Sequence, residues 1–137
     1  MFLLDTDVLS ASRRPDKAAP AFAAWVESTS PADMYLSAVS ILEIKIGALR
    51  IARRDHVQGA ILNRWIHENV LARFDGRIIP VDPAIALRCA PLHVPDPRPD
   101  RDSMIAATAL EHRLTVVTRN VHHFTPMGAP IFNPWTD

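Results

Sequence analysis

Short apolar runs alternate with helix-patterned stretches along this chain, and no other feature restricts its fold as strongly. Residues 2–4 (Phe2-Leu3-Leu4), "MYLSAV" (34–39), "GRIIPV" (76–81), "LTVVT" (114–118) and "PIFNPW" (130–135) read as strands. Between them fall helical spacings. Asp7 can cap a helix through Val8, Leu9 and Ala11 that stops near Pro15, and residues 18–27 carry Phe22, Trp25 and Val26 on one side. Residues 40–52 place Ile41, Ile44, Ala48 and Ile51 at helical spacing, and Val57, Ile61, Trp65 and Leu71 mark a helix to about Arg73. "DPAIALRCA" (82–90) opens with Asp82 as N-cap and Pro83 at the first helical position. Pro91, Pro95, Pro97 and Pro99 make 91–101 a stiff non-helical loop, followed by a helix over 103–113. Strand–helix alternation of this kind predicts an α/β sandwich around a mainly parallel sheet. Length, the lack of internal repeats and the absence of a composition break predict one domain over residues 1–137.

Bulk properties narrow the function classes. A composition 48% hydrophobic is that of a globular chain. Zero formal net charge gives no overall basic field for nucleic acid. The basic residues are 13 Arg and 2 Lys, a skew that suits bidentate phosphate contacts and equally fits a codon bias. Cys89 stands alone, so no internal disulfide can form and a reducing compartment is expected. The first residues lack the pattern of a signal peptide, and no apolar run approaches the roughly 20 residues of a membrane helix. These features predict a cytoplasmic protein with no membrane association.

The chemistry concentrates where strands end. Asp5 follows the first strand directly. Glu43 lies shortly after "MYLSAV", Asp102 opens the "SMIAATA" helix, and Thr118, Arg119 and Asn120 follow "LTVV". In parallel sheets ligands gather outside the carboxyl ends of the strands. Taken singly, several of these acids have plain structural uses: Asp7 and Asp102 as helix-start acids, and Ser40-x-x-Glu43 as a capping box. Asp5 has no such use on this reading. Capping also does not explain why the acids share one edge. Clustered carboxylates resist ionising together, and a hard divalent cation relieves that penalty. Oxygen ligands without Cys or His favour Mg²⁺ or Mn²⁺, and such an ion assists phosphodiester hydrolysis or phosphoryl transfer.

Five stretches in order, "LLDTDVLS" (3–10), "YLSAVSILEIKIGA" (35–48), "DSMIAATA" (102–109), "TVVTRN" (115–120) and "IFNPWTD" (131–137), resemble the PIN-domain ribonucleases. The likeness is to the toxin subunits of VapBC-type toxin–antitoxin systems, particularly their FitB-like branch. It implies a three-layer α/β/α sandwich and Mg²⁺- or Mn²⁺-dependent cleavage of RNA. It also implies inhibition by a cognate VapB-like antitoxin, a homodimer, and a higher assembly with antitoxin on operator DNA. By motif, Asp5, Glu43 and Asp102 are the family's acids, catalytic and metal-binding. Thr6 and Thr118 would hydrogen-bond carboxylates or water, and Arg119 and Arg101 would contact RNA phosphate. The chain departs from the family at three places. The FitB-like branch has an acid where this chain has Asn120, many relatives have Asp where it has His123, and relatives commonly have Asn where it has Asp7. Asn120 offers an oxygen but no charge. His122 and His123 read as solvent-facing loop residues, Trp25, Trp65 and Trp135 as core or interface, and Cys89 as a small buried hydrophobe. The antitoxin would lay an amphipathic segment in an apolar groove built from helices 40–52 and 56–73.

Other readings stay open on sequence alone. "LLDTDVL" also fits the Asp-x-Asp start of haloacid-dehalogenase-like phosphatases, and a receiver-type signalling domain is a more distant fit; both normally need a late Lys, and none follows Lys45. With Asn120 in place of an acid, a degenerate PIN domain that binds RNA or a partner without cutting is the non-enzymatic alternative.

Overall fold

The structure, a computed structural model, describes all of residues 1–137. Its strands are β1 (Phe2–Leu4), β2 (Met34–Ser37), β3 (Ile78–Ile79), β4 (Thr115–Val117) and β5 (Ile131–Phe132). They pair in the order β3-β2-β1-β4-β5, and every pair is parallel. With β1 central, the chain winds outward through β2 and β3, then crosses to β4 and β5. The winding direction therefore reverses between β1 and β4, where a doubly wound sheet opens its ligand crevice. Leu4 and Val117 are register partners there, so Asp5 and Thr118 leave the sheet side by side.

The helices are α1 (Thr6–Ala11), α2 (Pro20–Ser28), α3 (Ala38–Ala52), α4 (His56–Arg64), α5 (Leu71–Arg73), α6 (Pro83–Cys89), α7 (Asp100–His112) and α8 (Val121–Phe124). Alternation along the strands sends successive side chains to opposite faces. Leu4 and Val117 join Val8, Leu9, Phe22, Ile44, Ala48, Ile66 and Val70 in one core, beneath α1 to α5. Leu3 and Val116 join Ile105, Ala106, Ala109 and Phe124 in the other, beneath α7 and α8. Helix α6 packs outside α7 through Ile85, Cys89 and Ala107, so Cys89 is buried as a small apolar group. Trp25, Trp65 and Trp135 pack against the first core. No helix is long and apolar enough to cross a membrane.

Element boundaries differ from expectation where capping decides them. The strand expected over 34–39 ends at Ser37, whose Oγ accepts from the Val39 amide at 3.0 Å and starts α3. Glu43 is thus in the second turn of α3, and the expected Ser40–Glu43 capping box does not form. Helix α1 is capped by Asp5, not Asp7: Asp5 Oδ1 accepts from the Thr6 amide at 2.8 Å. Helix α7 begins at Asp100 rather than 103, and a 3₁₀ turn (Ala90–His93) occupies the start of the loop expected to be non-helical. Asp82 caps α6 as expected, with Pro83 in its first turn.

The expected helix to Arg73 is continuous but passes through a π-helical segment (Trp65–Val70) between α4 and α5. Ile66 and Val70 are buried, while Val57 and Ile61, which announced the helix in sequence, are exposed. The inward residue of α4 is Gly59, where a β-carbon would land on Ala52 at the end of α3. Gly59→Ala is therefore expected to lower stability by about 1–3 kcal/mol through forced separation of the two helices. A lowered urea midpoint at unchanged slope would bear this out, and an unchanged midpoint would refute the close approach.

Candidate active site

The site grows from the turn after β1. Asp5 remains strand-paired, its amide donating to the Val117 carbonyl at 2.9 Å, while its carboxylate caps α1. The second carboxylate oxygen, Oδ2, accepts from Thr118 Oγ1 at 2.8 Å. Thr118 Oγ1 in turn accepts from the Asn120 amide at 2.9 Å. Asp5 is 5% exposed and Thr118 fully buried. A carboxylate is costly to bury without donors, and these donors hold it in place.

Thr6, one residue on, points toward α3. Its Oγ1 donates to Glu43 Oε1 at 2.7 Å and lies 3.1 Å from Ser40 Oγ. Across the crevice, the first turn of α7 presents Arg101 and Asp102. Arg101 Nη1 stands 3.7 Å from Glu43 Oε2, and Asp102 Oδ2 stands 3.2 Å from His123 Nδ1 on α8. Asp7 lies in the first turn of α1, with Oδ2 3.4 Å from Asn120 Nδ2 and Oδ1 buried without a hydrogen-bond partner. Arg119 sits over Trp135, its guanidinium carbon 3.9 Å from the ring centroid, and its charge also acts on Asp7.

The fold thus gathers Asp5, Thr6, Glu43, Arg101, Asp102, Thr118, Arg119 and Asn120 at one sheet edge. Two further residues join the same group. His123 faces solvent as expected, its side chain 57% exposed, yet it stands against Asp102 on the turn that ends in fully buried Phe124. Ser40, expected as a cap, is buried beside Thr6 instead. The signal for His123 was its place directly before an aromatic residue that must go inside.

Burial and the neighbouring Asp7 charge push the Asp5 carboxyl up to about 7. Thr118 and the Thr6 amide oppose the rise, and Asp102 adds to it. Asp7 is also raised, by burial first, against the backbone and guanidinium of Arg119. No three acidic, histidine or cysteine side chains close into a ready coordination shell. The donor set nevertheless fits a hard divalent cation. It is mainly oxygen, one buried carboxylate oxygen has no donor, and Mg²⁺ takes only one or two carboxylates while keeping waters.

The raised Asp5 makes a pH prediction for the metal-free protein. Its folded-state value lies above the unfolded one, so the folded state holds the extra proton between roughly pH 4 and pH 7. Asp5 therefore contributes a stability loss as pH rises through that window, on the order of 2–4 kcal/mol in full. Asp5→Asn keeps a good helix cap and removes the titrating group. Thermal melts in EDTA from pH 4 to 8 should show wild type losing stability relative to Asp5→Asn as pH rises. A difference that stays flat with pH would contradict the account.

Comparison with known proteins bears on the whole chain. A PIN domain matches residues 2–125. The chain is 33% identical to Toxin FitB of Neisseria gonorrhoeae over all of both chains. It is 31% identical to the VapC ribonuclease Y4jK of Sinorhizobium fredii over 98% of each. Among solved structures, FitAcB from Neisseria gonorrhoeae superposes with a TM-score of 0.90 at 32% identity, covering all of both chains. FitAB bound to an IR36 DNA fragment does so with 0.88 at 32% identity, over 98% of this chain and 96% of that one. The sheet order, the acids at its switch point and these full-length similarities agree: the chain belongs to the PIN-domain family.

Proposed function

We propose that this chain is a divalent-metal-dependent endoribonuclease, the toxin of a VapBC-type pair, built as one PIN domain over residues 1–137. The observation that carries the proposal is the tethering of acids from three distant elements at the β1–β4 crevice. Asp5 is held by Thr118, Glu43 is held by Thr6, and Asp102 faces them from α7. The ribonuclease and toxin names of the full-length relatives support the same reading.

Asp5 and Asp102 would hold Mg²⁺ or Mn²⁺, and Glu43 would complete the set. When bound, the ion supplies Lewis-acid stabilisation of the charge that builds on the phosphate. The residues do the rest. Glu43 orients a water and takes its proton as the water oxygen forms a bond to phosphorus. The bond from phosphorus to the leaving ribose oxygen breaks, and that oxygen regains a proton from solvent. Thr6 and Thr118 fix the carboxylates, and Asn120 holds Thr118 through its backbone amide. Arg101 and Arg119 contact RNA phosphates as the substrate displaces their present partners.

The partner fits a groove that begins at the acids. Thr6, Arg13, Glu43, Ile44, Leu62 and Trp65 contribute to a cavity of about 330 Å³ between α1, α3 and the helix from α4 to α5. A VapB-like antitoxin segment with an apolar face would fill it and cover Glu43. The toxin would pair as a homodimer and join the antitoxin on operator DNA; the DNA-bound FitAB relative supports the assembly on DNA.

Antitoxin-free protein should cleave RNA with Mg²⁺ or Mn²⁺ and lose activity in EDTA. Asp102→Asn should cost about 10²-fold or more. Folded protein that leaves total cellular RNA intact with either metal would overturn the enzyme reading and favour a PIN domain that binds without cutting.

A further inference from the structure

A cavity of about 390 Å³ lies between the end of α1, the turn into α2 and the chain after β4. Ser10, Arg14, Lys17, Phe22, Arg119 and Trp135 line it, and no acid does. The chain as a whole has no net charge, so a polyanion must be held by local concentrations of cations. We propose that this cavity is the RNA subsite beside the scissile phosphate: Arg14, Lys17 and Arg119 take a neighbouring phosphate of an unpaired strand, and the Arg119–Trp135 pair seats a base. The inference rests on the ribonuclease reading given above and adds where the strand continues and which form of RNA fits.

Three observations carry it. First, the cavity is continuous with the acids. Thr118 and Arg119 are neighbours, with Cα atoms about 3.8 Å apart. The Thr118 hydroxyl holds Asp5, and Arg119 lines the cavity. Ser10 stands one helical turn after Thr6, which holds Glu43. A strand with one phosphate at the acids therefore passes Arg119 on its way out.

Second, the cations are available. Neither Arg119 nor Lys17 makes an ion pair within the chain. Arg14 has only Asp16, at 3.4 Å, with side chains 48% and 66% exposed. An exposed pair of this kind contributes little and exchanges readily for a phosphate, which Arg can grip with two N–H groups.

Third, the floor is aromatic and fixed. Fully buried Phe22 stacks on Trp135 with ring centroids 4.3 Å apart and planes 4° from parallel. The Trp135 amide also donates to Asn133 Oδ1 at 2.9 Å. Arg119 thus sits over an anchored indole, its guanidinium carbon 3.9 Å from the ring centroid. Guanidinium and aromatic groups are the surfaces on which unpaired bases stack, whereas a duplex keeps its bases inside. The volume falls within the range of small-ligand sites, about 300–1,000 Å³, which suits one nucleotide. An acidic peptide would match the charge and leave the aromatic floor unused.

Fluorescence anisotropy with a fluorescein-labelled, mixed-sequence single-stranded RNA tests this, in EDTA and again with Ca²⁺, over a range of salt. The proteins are wild type, the double variant Arg14→Ala with Lys17→Ala, Arg119→Gln, and Arg88→Ala, a control whose partner is Glu111. The double variant should bind about 10-fold more weakly, with a salt dependence shallower by about 1, and Arg119→Gln about 5-fold more weakly. Arg88→Ala should bind as wild type does, and wild type should prefer the single strand to a duplex of the same sequence. Wild-type affinity in both cavity variants, an equal loss in Arg88→Ala, no preference for the single strand, or no binding by wild type would each overturn the proposal. Unchanged RNA binding with lost affinity for a co-expressed antitoxin would assign the cavity to that protein instead and also overturn it. Cleavage of the same RNA with Mn²⁺ separates the two levels. If wild type binds through these cations and does not cut, the subsite stands and the nuclease reading falls; if it cuts and the cavity variants bind and cut equally well, the subsite alone falls.

Discussion

Asp5 is the residue on which the rest of the structure turns. It keeps the last hydrogen bond of β1 to β4, caps α1 with one carboxylate oxygen, and takes the Thr118 hydroxyl on the other. A buried charge this close to a sheet edge is unfavourable unless donors surround it. Those donors come from both sides of the switch point, so satisfying Asp5 forces β1, β4 and the start of α1 into one arrangement. The same burial, with the neighbouring Asp7 charge, raises its carboxyl to about 7.

From that point the remaining acids are placed by helix starts. Ser37 caps α3 and sets its phase, so Glu43 in the second turn reaches back over Thr6. Helix α7 begins at Asp100, which puts Asp102 in the first turn, where the helix dipole favours an acid. The apolar faces of both helices are clamped by the two cores, with Ile44 and Ala48 on one side of the sheet and Ile105, Ala106 and Ala109 on the other. The polar cluster is thus rigid because the layers beneath it are packed.

Much of this was legible in the chain. Alternating apolar runs and helical spacings implied the parallel sheet, and the positions of Asp5 and Glu43 after strands and of Asp102 at a helix start implied their convergence. The capping details were not legible. Asp5 and Asp7 are two residues apart, both acidic, and either could cap; the strand bond of Asp5 to Val117 decides, a long-range contact that local spacing does not contain. Ser37 and Ser40 pose the same ambiguity, settled by where β2 stops pairing. Val57 and Ile61 misdirect because the inward face of α4 is carried by Gly59, a residue with no apolar signal of its own. The contact of His123 with Asp102, and that of Asn120 with Asp7, join positions far apart in the chain, which local spacing does not contain.

The central proposal is that these carboxylates form the binding site of a divalent cation. The most direct measurement is the melting temperature at pH 8 as Mn²⁺ is added, for wild type beside Asp5→Asn. Binding to the folded state alone stabilises by about 2.7 kcal/mol at a hundred times the dissociation constant, so wild type should melt several degrees higher in saturating Mn²⁺ and Asp5→Asn should not. A wild type that melts at the same temperature with and without Mn²⁺, or an equal rise in Asp5→Asn, would contradict it.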